Sequence, residues 1–597
     1  MSSESRESGS GAVKAARNTE YECDWAQATR VFGRLHSRAA CAAIDQRIPR
    51  YSRKRSVKKL ITTAISVGLT MTYLRVTKLT KPIINRLGPH VRKIVLTMPL
   101  IILVVLLAFQ AVRFALSNPL CCADDAAIAN VAKSVAEGNG YALPIKFDGA
   151  SGRFLFNPSI STGPTLVLPT AVAIAIFGAD PRIPGLTKAI ISIALLCWIL
   201  IGVARRVKYS DGIGYGVLLV VLLFLSTSGA NFVQWYALIG ELVAALLIIL
   251  AVLLTTTSES EVRSVALGGF CLSLAILTKL LALLALFPIL LFVIYDSNVS
   301  SMSAIRWRRL GYFMFGLCLP LLLFVLWQSL SLGAHGSRIW LSTFLDSLHQ
   351  HVQVGNPNDA KLDSILSRIS NNLHASVNSY GHSVLGTIIG VALFAMLVWT
   401  NATSKFVKRF VCCLALIAIV NLGWWTLFVI GAQWPRYELI GMILAAATVA
   451  GTQLVRLSTV GRFIGVILAL CMVFPITNPT QLVWGGLGPP TTEGKERILA
   501  LRSVIEPLRH YRHSVLIGGW WASLVTPKYL LPDDVSIVAF NKLSTVKGSY
   551  HKFLILDHKW DSFAKLDQDP DFLQFRSRCE EVISKNRYFT LFACQSE

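Results

Sequence analysis

Residues 121–141 read Cys-Cys-Ala-Asp-Asp-Ala-Ala-Ile-Ala-Asn-Val-Ala-Lys-Ser-Val-Ala-Glu-Gly-Asn-Gly-Tyr, and they follow an apolar run, Ile94 to Leu116, long enough to cross a bilayer. Asp124 suits a helix N-cap. Ile128, Val131, Ala132 and Val135 then recur at helical spacing, with Asn130, Lys133, Ser134 and Glu137 on the other side, until Gly138 and Gly140 stop the helix. The pattern predicts a short amphipathic helix lying at a membrane surface. An Asp near the bilayer centre costs roughly 2.5 to 3.5 kcal/mol, so Asp124 and Asp125 must face water or a polar cavity, and that makes them site candidates.

The rest of the chain agrees with a membrane setting. Its 597 residues are 53% hydrophobic and only 15% charged, with a mean hydropathy of +0.56, too apolar for a soluble protein of this length. The net charge of +24 is concentrated early: residues 1–93 hold nineteen Lys and Arg against six acids, just before the first confident span. That asymmetry describes a cytoplasmic, membrane-apposed segment, and nothing in the chain has a nucleic-acid-binding signature. Residues 1–50 are Ser, Arg and Ala rich and are expected to be disordered, and Leu60 to Tyr73 is expected to lie at the interface. The first apolar stretch comes too late for a cleavable signal. Most of the twelve cysteines, such as Cys197, Cys271, Cys318 and Cys471, lie in apolar spans as small hydrophobes. Cys579 and Cys594, in the polar tail, are placed to pair in an oxidising compartment.

With the basic side in the cytoplasm, Ile94 to Leu116 delivers Asp124 and Asp125 to the opposite face. A long outer loop, 117–182, contains a Pro-broken apolar piece from Gly163 to Gly178, read as a helix along the outer leaflet. Further spans are expected at Gly185 to Val203, Ile213 to Ser228, Leu238 to Thr256, Val265 to Lys279, Leu281 to Tyr295, Gly311 to Ser329, Val384 to Thr400, Val411 to Ile430, Leu439 to Val455 and Phe463 to Thr477. A polar outer loop covers Leu332 to His382 (331–383). Arg205, Arg206, Lys208, Arg306, Arg308, Arg309, Lys405, Lys408, Arg409, Arg456 and Arg462 then all fall inside. The expected fold is mainly α, a polytopic bundle of about eleven spans over 94–484, followed from 485 by a small extracytoplasmic α/β domain. In that domain a helix is expected at Glu496 to Leu508, strands at Ser514 to Gly518, Val535 to Phe540 and Phe553 to Asp557, a helix at Asp571 to Ser584, and a strand at Tyr588 to Cys594.

Several short motifs in order resemble the integral-membrane glycosyltransferases of the GT-C superfold, in particular the branch of lipid A aminoarabinose transferases and protein O-mannosyltransferases. They are Asp124-Asp125 opening a helix that ends Gly-Asn-Gly-Tyr141; Gly163-Pro-Thr-Leu-Val-Leu-Pro169 leading to Phe177-Gly178; Arg182 heading the next span; Gly240-Glu241; Thr278-Lys279; and Arg436-Tyr437 outside a late span. The resemblance covers about residues 94–480. It implies an inverting enzyme with a polyprenyl-phosphate monosaccharide as donor, a glycan or glycolipid acceptor, and no obligatory metal, although some relatives use a divalent ion. The protein would be a multi-pass component of a bacterial cytoplasmic membrane with a periplasmic site.

A single-displacement transfer needs a base for the acceptor proton and a cation for the leaving phosphate. Asp124 fills the family's base position; the adjacent Asp125 is the other candidate for the base, or orients Asp124, binds acceptor or merely caps the helix, and the plainer alternative is that both are N-cap and solvated charge. Arg436, in Gln433-Trp434-Pro-Arg-Tyr437, suits bidentate phosphate binding, or else snorkels with Trp434 and Tyr437 as an aromatic belt. Lys279 and Arg182 are further phosphate candidates, and Glu241, Gln433 and Trp434 are substrate-binding candidates; a helix-start or turn role explains Glu241 and Lys279 nearly as well. Lys188 reads as a snorkeller or an internal pair partner. His349 and His351 lack a third metal ligand in sequence and read as a solvated loop. The chain has Ala127 where aminoarabinose transferases carry Arg, and Thr162-Gly163-Pro164 where they carry Lys-Pro-Pro and mannosyltransferases His-Pro-Pro. The acceptor is therefore open. The rival classes are a flippase of lipid-linked sugars, which calls for two related halves that the sequence lacks, and a non-catalytic scaffold.

Overall fold

The computed structural model describes residues 89–455 and 493–595, apart from 147–148, 159, 228, 257–261, 295–302, 354–364, 381–383, 429–437, 512, 547, 549, 559–560 and 562–565. The expected N-terminal interfacial stretch Leu60 to Tyr73 and the expected span Phe463 to Thr477 lie outside these residues. So do Arg456, Arg462, Gln433, Trp434, Arg436 and Tyr437, and the side chains of His349 and His351.

Helix α1 (Pro89–Ser117) is followed by α2 (Ala123–Ala136) and a hairpin of β1 (Ala142–Ile145) and β2 (Ser151–Leu155). Next come α3 (Pro164–Phe177), α4 (Ile183–Ala204) and α5 (Tyr209–Ser226), and a 3-10 turn over Gly229–Trp235 precedes α6 (Glu241–Thr255). Helix α7 (Val262–Thr278) leads through a second 3-10 turn, Leu280–Ala285, to α8 (Leu286–Ile294). The helical part closes with α9 (Ser303–Gln353), α10 (Ile365–Tyr380), α11 (Val384–Asn401), α12 (Lys405–Phe428) and α13 (Leu439–Ala450). Five of these helices are long and apolar enough to cross a membrane and six shorter apolar ones accompany them, which makes the chain a multi-pass membrane protein. Ten of the expected spans coincide with helices, although Leu281 to Tyr295 begins as 3-10 before α8.

Position in the bundle follows side-chain character. Every residue of α6 and α13 is buried, as expected of helices that are apolar all round and central. By contrast α1 and α9 present Ile102, Val105, Phe109, Phe315, Leu322 and Leu330 outward, a lipid-facing set. Helices α7 and α9 touch backbone to backbone: a Cβ on Gly269 would lie 2.1 Å from the Phe313 carbonyl oxygen, and one on Gly316 would lie 1.9 Å from that of Ala266. Small residues permit this approach, which van der Waals contact then stabilises in lipid.

The C-terminal part contains α14 (Glu493–Ile505), β3 (Ser514–Gly518), α15 (Trp521–Leu530), β4 (Ser536–Ala539), β5 (His551–Asp557), α16 (Pro570–Arg576), β6 (Glu581–Lys585) and β7 (Phe589–Cys594). The sheet order is β4-β3-β5-β7-β6; β4, β3 and β5 are parallel, and β7 runs antiparallel to both β5 and β6. Cys579 and Cys594 are disulfide-bonded.

Three expectations are corrected. Residues 332–353 and 365–380, read as a polar loop, are helical: α9 runs on past a break at Gly333, where φ is +65°, and α10 buries Asn372, whose amide donates to the Trp425 and Thr426 carbonyls at the end of α12. The helix expected over Asp571 to Ser584 ends at Arg576, and Glu581–Lys585 joins the sheet instead as β6. Lastly, the polar side expected of α2 is not exposed: Asn130 and Lys133 are buried. All residues from Asp125 to Lys133 are buried between α3 and α15, in a core that joins Ile128 and Val131 to Val525 and Leu516.

Candidate functional site

The polar side of α2 is what the C-terminal sheet domain grips. Asn130 donates to the Val525 carbonyl at 2.7 Å, and the Lys133 ammonium donates to the Tyr529 and Leu531 carbonyls at 3.1 and 2.8 Å, satisfying the C-terminal end of α15. Ala539 N–H donates to the Gly149 carbonyl at 2.9 Å, so the hairpin is held as well. These contacts hold the C-terminal half of α2, whose first turn bears the acidic pair, and the hairpin that follows it.

Cys122, in extended backbone, is the N-cap of α2, in place of the expected Asp124; Asp124 and Asp125 occupy the first turn, where the partial positive charge of the helix end favours anions. Asp124 is half-buried. Asp125 is 1% exposed, and its carboxylate accepts from Cys121 N–H at 3.0 Å and from Leu238 N–H at 2.8 Å. Burial lifts its pKa to about 6 against the pull of those two amides.

Leu238 belongs to a stretch, 237–240, that separates the 3-10 turn Gly229–Trp235 from α6. Where a helix is broken, backbone groups lose their intrahelical partners. Here Asp125 takes the Leu238 N–H, while the ammonium of Lys188, wholly buried one turn into α4, donates to the Ala237 and Ile239 carbonyls at 3.4 and 2.5 Å. The next residues are Gly240 and Glu241. Glu241, 1% exposed, opens α6 and forms an ion pair of 3.1 Å with Lys279, which sits in extended backbone between α7 and the following 3-10 turn.

The partner of that turn is α3. Gly163 N–H donates to the Thr278 carbonyl at 3.1 Å, and a Cβ on Gly163 would lie 1.8 Å from the Leu277 carbonyl oxygen, so the Gly163-Pro164 junction presses directly on the residue pair preceding Lys279. Two carboxylates, Asp125 and Glu241, and two ammoniums, Lys188 and Lys279, are thus gathered at one end of the bundle, with Lys188 within electrostatic reach of the other three. Opposite charges that balance within one buried cluster avoid the cost of an isolated buried ion.

Arg182 is placed differently. It precedes α4 on an exposed surface, with Nε and Nη2 on the two Asp180 carboxylate oxygens at 2.9 and 2.8 Å, and this pairing holds Asp180 below its ordinary pKa. Among the described residues no group of three or more His, Cys, Asp or Glu is arranged to hold a metal ion. Sequence reasoning singled out Asp124, Asp125, Glu241 and Lys279, but it missed what Lys188 and Asp125 hold. Their partners are main-chain groups, which carry no residue-type signal; the one available hint was a lysine inside an apolar span.

No protein-family model matches the sequence, and no curated protein matches it either. Solved structures do. ArnT from Cupriavidus metallidurans, with undecaprenyl phosphate bound, superposes with a TM-score of 0.51 at 13% identity over 83% of this chain and 97% of its own. The Archaeoglobus fulgidus oligosaccharyltransferase in complex with Zn and sulfate aligns at a TM-score of 0.42 and 11% identity over 77% of this chain and 69% of its own. The same organism's AglB with an inhibitory peptide and a dolichol-phosphate aligns at 0.38 and 10%, over 72% and 63%. The fold of this chain is of the GT-C type.

Proposed function

We propose that this protein is an inverting glycosyltransferase that moves a monosaccharide from a polyprenyl-phosphate donor to a glycan or glycolipid acceptor on the non-cytosolic side of the membrane. One observation carries the reading: a half-buried carboxylate, Asp124, stands at a helix N-terminus whose next residue, Asp125, is hydrogen-bonded to the segment that mounts the Glu241–Lys279 pair. A base and a cation on a shared mount suit single displacement. The fold shared with ArnT, a protein bound to undecaprenyl phosphate, supports a lipid-phosphate donor.

In this reading the Asp124 carboxylate takes the proton of the acceptor hydroxyl as its oxygen bonds to the anomeric carbon from the face opposite the phosphate. The bond from that carbon to the phosphate oxygen breaks, and the charge left on the polyprenyl phosphate is met by Lys279 and by Arg436, with Tyr437 beside it. Asp125 orients the start of α2. Glu241 holds the Lys279 ammonium in place, and Gln433 and Trp434 contact the substrate. Arg182 is already closed by Asp180 and reaches phosphate only when that pair opens. The Cys579–Cys594 disulfide supports an oxidising compartment for the sheet domain that caps α2.

The test is Asp124→Asn in the full-length protein. Undecaprenyl phosphate binding is expected to persist while sugar transfer falls by about a hundredfold or more, the usual contribution of a general base. Transfer at the wild-type rate removes Asp124 from the role.

A further inference from the structure

We propose that Lys188 and Asp125 form a two-sided latch on residues 237–240 and are positioning residues for the Glu241–Lys279 pair. Their effect on the phosphate rests on the role given to Lys279 above, but the latch itself does not.

The geometry is alternating. Residues 237 and 239 offer carbonyls to one side and residue 238 offers its N–H to the other. Lys188 reaches the two carbonyls from α4, and Asp125 takes the amide from the first turn of α2. The stretch between the last bond of the 3-10 turn, Ala237 N–H to the Val233 carbonyl at 2.8 Å, and the first of α6, Ala244 N–H to the Gly240 carbonyl at 2.9 Å, is thereby pinned from two elements.

Close packing carries the consequence onward. A Cβ on Gly240 would stand 2.8 Å from Thr278 Cγ2 and 3.1 Å from Lys279 Cγ, so a small displacement of 237–240 moves the backbone against the residue that bears the cation. Glu241 is one residue further along. Lys188 has no exposure of its own and its ammonium is spent on carbonyls, so it acts on substrate only through that mount. The Lys188 ammonium also lies within electrostatic reach of both Asp125 and Glu241.

The experiment uses Lys188→Met in full-length protein in lipid nanodiscs, with undecaprenyl phosphate as the probe. Amide hydrogen exchange over residues 237–241 is expected to quicken about tenfold or more while α6 beyond Ala244 keeps its protection, a local opening distinct from unfolding. Affinity for undecaprenyl phosphate is expected to fall about tenfold, and the double variant Lys188→Met/Lys279→Met is expected to bind no worse than Lys279→Met alone, since residues acting through one another are not additive. If Lys188→Met does not fold, Asp125→Ala reads the same Leu238 amide from the other side. Unchanged exchange at 237–241 overturns the latch. Faster exchange with unchanged affinity, or additive losses in the double variant, overturns its action on the pair. Faster exchange in a protein whose wild type does not bind undecaprenyl phosphate supports the latch and overturns the phosphate role of Lys279.

Discussion

The Glu241–Lys279 pair offers the sharpest separation of stability from function. At 3.1 Å, with 1% and 7% side-chain exposure, its Coulomb attraction at an effective dielectric of 20 is about 5 kcal/mol. Removing one partner leaves an uncompensated buried charge, and such losses run to roughly 3 to 5 kcal/mol, whereas removing both by residues of similar volume is often close to neutral. Glu241→Gln and Lys279→Met are therefore each expected to destabilise the protein by about 3 to 5 kcal/mol, and the double variant by much less than the sum. The assay is reversible unfolding in detergent, with and without undecaprenyl phosphate. In Glu241→Gln the lipid phosphate replaces the lost counterion, so saturating ligand restores stability more than it stabilises the wild type. Lys279→Met, left with Arg436 to meet the phosphate, is stabilised by the ligand less than the wild type is. Additive destabilisation in the double variant, or wild-type ligand stabilisation of Lys279→Met, refutes the assignment.

Two further outcomes concern the sheet domain. Asp561 is buried, its Oδ2 accepts from Asp557 N–H, and burial followed by the neighbouring Asp557 carboxylate pushes its pKa up to about 8. The folded state then binds this proton more tightly than the unfolded chain, so stability falls as pH rises from about 4 to about 8, by an amount on the order of 4 kcal/mol between pH 5 and 8. Asp561→Asn flattens that slope in melting curves, and an unaltered slope contradicts it; the neighbouring Asp557 is paired with Arg497 at 2.7 Å. Reduction of Cys579–Cys594, which closes a loop of 15 residues, is expected to cost about 3 kcal/mol, read as a lowered melting midpoint in dithiothreitol that Cys579→Ser/Cys594→Ser reproduces.

Much of the bundle was legible because lipid imposes it. Runs such as Ile94 to Leu116 admit little but a helix, and the acidic pair at Asp124-Asp125 was conspicuous because carboxylates are rare beside such runs. What escaped depended on partners remote in sequence. Asn130 and Lys133 looked solvated, yet they are buried by carbonyls nearly four hundred residues away. Residues 332–382 looked like loop because they are polar, but Asn372 is the kind of polar group that serves as a helix-end partner once α12 is beside it. At 571–584 the expected helix start lies one residue from the observed one, which Asp569 caps by accepting from Asp571 and Phe572 N–H. Its end was set by pairing of β6 with β7, a tertiary choice that overrides local propensity.

The site shows the same division. Side chains with chemistry of their own, Asp124, Glu241 and Lys279, could be read from residue type and order. The Leu238 amide and the Ala237 and Ile239 carbonyls could not, since every residue but proline has both groups.

The central claim is sugar transfer with inversion from a lipid phosphate, and the direct measurement is product stereochemistry. Purified protein would be incubated with a polyprenyl-phosphate monosaccharide of known anomeric configuration and a mixture of glycolipid and polysaccharide acceptors, and the product read by proton NMR of the anomeric signal. Release of polyprenyl phosphate matched by a glycosylated acceptor of the opposite configuration, and absent with Asp124→Asn, is the expected result. A product of retained configuration, or equal release by the wild type and Asp124→Asn, would contradict it.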